Sequence, residues 1–164
     1  MIGKSLIPQI AGLFVLPIAL CAACLANDSP RRLSAEAKTS TAEVFLARKD
    51  FAKAELLLRR ALDDDPNYGL ALNLLGQSLA KQERDADAIE YYTQSINVEP
   101  ENENFRLTLI DAYRRLSNAT EMASSSREFL KKFPNSDKYA IVKELLRRAE
   151  AKNGLTAAAA GSES

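Results

Sequence analysis

Residues 69–102 read GLALNLLGQSLAKQERDADAIEYYTQSINVEPEN. Two helix-length amphipathic runs flank the charged triplet Glu83-Arg84-Asp85, and the segment closes on Pro100. One glycine, Gly76, stands inside the first run. A helix-interior glycine costs about 1 kcal/mol relative to alanine, so its presence there calls for a turn or for a close packing contact. Outward from this segment the pattern recurs. Pro66, Pro100 and Pro134 fall every 34 residues, each followed at once or one residue later by asparagine. Between them the helical runs break at Arg48-Lys49-Asp50, at Glu83-Arg84-Asp85 and at Ser117-Asn118. Each period therefore predicts helix, turn, helix, with Asp85 placed to cap the second helix of the central unit.

This spacing resembles the tetratricopeptide repeat family, whose unit is 34 residues long. Leu72, Leu75, Gly76 and Leu79 stand where that family carries its first-helix set, and Ala88, Tyr92 and Ser95 where it carries the second-helix set. Ala42, Phe45, Ala54, Leu58 and Ala61 hold the same offsets one period earlier. The resemblance implies an all-α helical-repeat solenoid of three units, 35–68, 69–102 and 103–136. It also explains the glycine: Gly76, Ala88 and Ser95 are the small residues at which the two helices of a unit cross. The third unit departs, with Ile110, Met122 and Phe129 at those small positions and serine within Ser124-Ser125-Ser126 where an aromatic is expected. Its helices are expected to sit farther apart or to rotate. Terminal units of solenoids are often atypical.

After Pro134, residues 137–153 predict a capping helix with Tyr139, Val142, Leu146 and Ala149 on one stripe and a stop at Asn153-Gly154. Residues 154–164, LTAAAAGSES with its leading glycine, show no periodic face and are expected to be disordered.

The N-terminus carries an address. Lys4 precedes an almost unbroken apolar run from Ile10 to Ala26, the layout of an export signal over residues 1–23, followed by a linker over 24–34. Cys21-Ala22-Ala23-Cys24 resembles the processing site of bacterial lipoproteins, with Cys21 where that family usually has leucine; Cys24 is then the lipidation site. Lipidation would hold the protein on a membrane. Leu25 after it, by resemblance to sorting rules, favours an outer-membrane lipoprotein facing the periplasm. Cleavage after Ala23 or Ala26 would instead release a soluble periplasmic protein.

Composition limits the chemistry. The chain has no histidine, its two cysteines both lie in the N-terminal apolar run, and 22 basic residues balance 22 acidic ones. No Ser-His-Asp relay, Cys-His pair or imidazole-thiolate zinc site can be built in the body of the chain, and no basic field suits nucleic acid. No cofactor, no metal and no catalytic residue is expected. Glu36 and Glu43 share a helix face, but two turns at ~1.5 Å per residue separate them by roughly 10.5 Å, beyond the ~6.5–9.5 Å of paired glycosidase carboxylates.

The resemblance places partner binding on the concave face lined by the first helix of each unit. Its offsets map to Glu36, Thr39 and Glu43, to Asn73, Gln77 and Lys81, and to Asn104, Asp111 and Arg114. Tyr68 and Tyr113 are candidate aromatic anchors. Chaperone-binding members clamp a terminal carboxylate with lysine and asparagine; Thr39 and Glu43 occupy those sites here, so no such clamp is expected. The implied function is a non-catalytic adaptor for another envelope protein, of the type serving pilus assembly or secretion. A self-associating homo-oligomer and a carboxylate-dependent envelope enzyme are the alternatives.

Overall fold

A computed structural model describes residues 30–161, with side chains through residue 154. The export signal, Cys21, Cys24 and most of the expected linker lie outside the described residues. Among the described residues seven helices follow in order: α1 Pro30–Ala47, α2 Phe51–Asp64, α3 Gly69–Lys81, α4 Asp85–Val98, α5 Glu103–Arg115, α6 Ala119–Lys132 and α7 Tyr139–Gly161. They pair as α1/α2, α3/α4 and α5/α6, with α7 packed on α6. The fold is the predicted all-α solenoid of three helix-turn-helix units and a cap.

The repeat is written into the turns. Lys49, Glu83 and Ser117 adopt left-handed backbone with φ of 61°, 64° and 56°. All three hold the same place in their units. Each begins a Schellman-type stop, in which the following N–H reaches back to the carbonyl of Phe45, Leu79 or Tyr113. The αL residue is never glycine. Between units, Tyr68, Asn102 and Ser136 donate their N–H to the carbonyls of Asp65, Glu99 and Phe133, again at one register. Pro66, Pro100 and Pro134 stand inside these turns, where their fixed φ and missing N–H end the preceding helix.

Helix starts differ where side chains differ. Asp50 accepts from the Lys53 N–H and Asn118 from the Glu121 N–H, so both cap their helices. The equivalent residue in the central unit is Arg84, which supplies no cap hydrogen bond. The expected cap at Asp85 is corrected: Asp85 is already helical, and its carboxylate lies 3.0 Å from Arg115 of α5 without hydrogen-bond alignment. A residue one position inside the helix directs its side chain away from the free N–H groups.

Two other boundaries move. α1 begins at Pro30, inside the expected linker, because proline suits a first helical position and Arg32 anchors the extra turn. Its guanidinium lies 2.6 Å from Asp65 and 4.1 Å from the Tyr68 ring centroid. α7 does not stop at Asn153-Gly154 but continues to Gly161, so most of the tail expected to be disordered is helical. Gly154 carries helical φ in open space, and the alanines after it are the best helix formers.

The core has two parts. Units 1 and 2 share one cluster, built around Leu58, Leu75, Leu79 and Tyr92 with alanines between. Unit 3 and the cap form another around Ile110, Met122, Phe129 and Val142. α5 and α6 pack against each other less closely than the helices of units 1 and 2.

Candidate functional site

The concave face is built by α1, α3 and α5, which touch their neighbours along the stack. Gly76 makes this spacing attainable in the central unit. A Cβ there would stand 2.6 Å from the Tyr92 ring and 3.1 Å from the Ala88 carbonyl oxygen. The close crossing holds α3 against α4 and brings the polar side of α3 towards α5. Burial pushes the Tyr92 hydroxyl up to about 12, partly offset by the positive charge of Arg115 nearby.

The nine expected contact positions do not form one open surface. Thr39 is 1% exposed and donates to the Ala35 carbonyl within its own helix. Asn73 is 3% exposed, donating to Thr108 Oγ1 of α5 and accepting from Gln77, both at 2.8 Å. These two are corrected from contact residues to interior residues: neighbouring helices of the stack cover them. Asn73 instead ties units 2 and 3 together. Glu43, Lys81, Asn104 and Arg114 are exposed, while Glu36, Gln77 and Asp111 are half-buried. Glu36 pairs with Arg32 at 3.0 Å, and Asp111 pairs with Arg114 and Arg115. What stays open is a shallow face of mixed charge, suited to hydrogen bonding a peptide segment.

Of the two expected anchors, Tyr68 is half-buried beneath Arg32. Tyr113 borders an opening between α5, α6 and α7. Its hydroxyl is raised, first by burial and then by Glu121 nearby, and so remains a neutral donor.

Charge in the turn of the central unit links units. Glu55 of α2 receives Arg59 at 2.8 Å, Gln82 at 2.9 Å and Arg84 at 3.2 Å. Burial opposes its ionisation, but these donors outweigh it and hold the carboxyl below its ordinary range. Ser78 adds a hydrogen bond from its hydroxyl to the Phe51 carbonyl at 2.8 Å. Reading Glu83-Arg84-Asp85 as a helix break did not reveal this role; an arginine where the flanking units have a capping Asp50 and Asn118 is the signal the sequence offers. Among the described residues no group of carboxylates is arranged to hold a metal ion.

These features define a helical-repeat solenoid with a polar inner face. A model of the family described as tetratricopeptide repeat matches residues 22–69 and 39–99, so the first two units carry that family's repeat. The match ends before the third unit, where bulky residues replace small ones. Comparison with curated proteins finds no significant match. Solved structures give the same fold at low identity. The TPR2B domain of yeast Sti1, in a complex with pHsp70, superposes with a TM-score of 0.67 at 14% identity, over 73% of this chain and 98% of that one. The Yersinia enterocolitica type III secretion chaperone SycD, in complex with a peptide of the translocator YopD, gives 0.66 at 14%, over 72% and 93%. The Sgt2 TPR domain from Aspergillus fumigatus gives 0.63 at 19%, over 73% and 79%. The described residues thus share the helical-repeat fold of these domains.

Proposed function

We propose that this protein is an exported adaptor of the bacterial cell envelope, anchored through a lipid on Cys24, which holds a segment of another envelope protein on its concave face and supports assembly of a pilus or secretion complex. The observation that carries the reading is a three-unit stack whose open inner face is polar and of mixed sign, behind an N-terminal stretch with the layout of a lipoprotein leader. Glu36, Glu43, Gln77, Lys81, Asn104, Asp111 and Arg114 are the residues that would meet the partner, with Thr39 and Asn73 supporting them from beneath. Two of the similar structures were determined with bound protein partners or peptides, which supports peptide capture as the mode of action.

Lys81 is exposed, so Lys81→Glu should weaken partner capture several-fold and leave the melting temperature unchanged. Photo-crosslinking in cells from position 77, with mass spectrometry of the adduct and of the mature N-terminus, tests the proposal. A discrete envelope adduct and an acylated Cys24 are expected. A mature chain cleaved after Ala26 and lacking any adduct would rule out the anchored adaptor.

A further inference from the structure

The irregular third unit and the cap leave an opening between them. α7 packs on α6 and stays apart from the α5 backbone, so the end of α5, the start of α6 and the middle of α7 line a half-open pocket of about 270 Å³. Ala119, Met122 and Leu145 form its floor with the ring of Tyr113, and Met122 and Leu145 belong to the core beneath. Arg114, Arg148 and Lys152 form its rim. No lining residue is acidic. Arg114 is held by Asp111 at 2.9 Å and Arg148 by Glu144 at 2.8 Å, both carboxylates standing outside the pocket. Lys152 donates to the Ser117 carbonyl at 3.2 Å, at the left-handed turn residue. In a chain with no net charge, three cations therefore converge over an apolar floor.

We infer that this pocket binds an acidic peptide segment of a partner protein, with one large apolar side chain seated on Met122 and Leu145 and flanking carboxylates against Arg114, Arg148 and Lys152. The inference rests on reading the stack as a peptide-binding scaffold, but it uses a different place: Arg114 and the anchor candidate Tyr113 are the residues it shares with the concave-face reading. The pocket is large enough for a leucine or phenylalanine side chain. The rim excludes a basic segment by like-charge repulsion, so charge selects and the floor anchors.

The test uses the full-length protein and a short labelled peptide carrying one central phenylalanine between glutamates, with a glutamine-substituted peptide beside it. The chain has two methionines, Met1 and Met122, so a methyl-labelled sample reports the pocket floor directly. Expected are a shift of the Met122 methyl signal, binding that weakens as salt is raised, and at least an about tenfold loss of affinity in the Arg148→Glu/Lys152→Glu double variant. Both side chains are exposed, and an unchanged melting temperature establishes that the variant is folded. Equal binding of the glutamine peptide, or an unmoved Met122 signal, would overturn the inference. Loss of binding in Lys81→Glu but not in the double variant would overturn it while leaving the concave-face reading intact. Adsorption to vesicles of anionic phosphatidylglycerol without peptide binding would assign the cations to a lipid surface and overturn it as well.

Discussion

The second and third units share one turn and one proline but differ at three packing positions. Gly76, Ala88 and Ser95 in the second become Ile110, Met122 and Phe129 in the third, and all six are buried. The small set lets α3 and α4 close on each other and merge with the first unit into one core. The large set fills the equivalent space from within, so α5 and α6 stand off and α6 turns its apolar side to α7. The backbone turns are nonetheless alike, with Glu83 and Ser117 in the same left-handed conformation. Helix-turn-helix connectivity is thus a local property, whereas helix separation depends on the volume placed between the helices.

The largest test of this contrast is Phe129→Ala. The ring is fully buried and lies 5.1 Å from the Phe133 ring. Its loss should cost about 3–5 kcal/mol in denaturant unfolding, since the third unit has bulk in place of a close crossing. Gly76→Leu is the opposite experiment and should cost about 1–3 kcal/mol by overpacking. Gly76→Ala should also destabilise, because its Cβ meets a buried ring and a backbone carbonyl that leave little room to move. A stabilised alanine variant would place Tyr92 elsewhere.

Alkaline titration reads the same crossing without mutating it. Tyr92 ionises near 12 in the folded chain, above the ordinary 10, because it is buried. For an acid raised in this way, the contribution to stability is complete below pH 10 and is lost as pH rises through about 12. Among the five tyrosines the last phenol to ionise should disappear in Tyr92→Phe, monitored by near-ultraviolet absorbance. Smallest is the effect on the shared turn. Glu83→Gly and Ser117→Gly should each stabilise by about 0.5–1 kcal/mol, as glycine relieves the left-handed strain at some entropic cost. Unequal gains would mean that the two turns differ after all.

The period of 34 residues and its repeated small side chains made the units legible from the sequence, including the irregularity of the third. Element boundaries were less legible. Pro30 extends α1 because proline suits a first helical position, and the alanines after Gly154 extend α7 because helix propensity continues past the repeat. The site was legible only in part. A position facing the inner arc of a single helix is a geometric fact of that helix, yet Thr39 and Asn73 are covered because neighbouring helices close over them. Tyr113 and Arg114 could be singled out as candidates, but Arg148 and Lys152 could not, since their convergence with them depends on how α7 leans on α6.

By itself the sequence determined the unit count, the placement of the turns and the residues available at each helix crossing. These follow from spacing, from proline and from side-chain size. Tertiary structure alone decided which polar groups remained open, how Glu55 joined two units, and where three cations came to share one apolar floor. Those outcomes depend on the relative rotation of successive units, and that rotation is the summed result of packing between residues far apart in the chain.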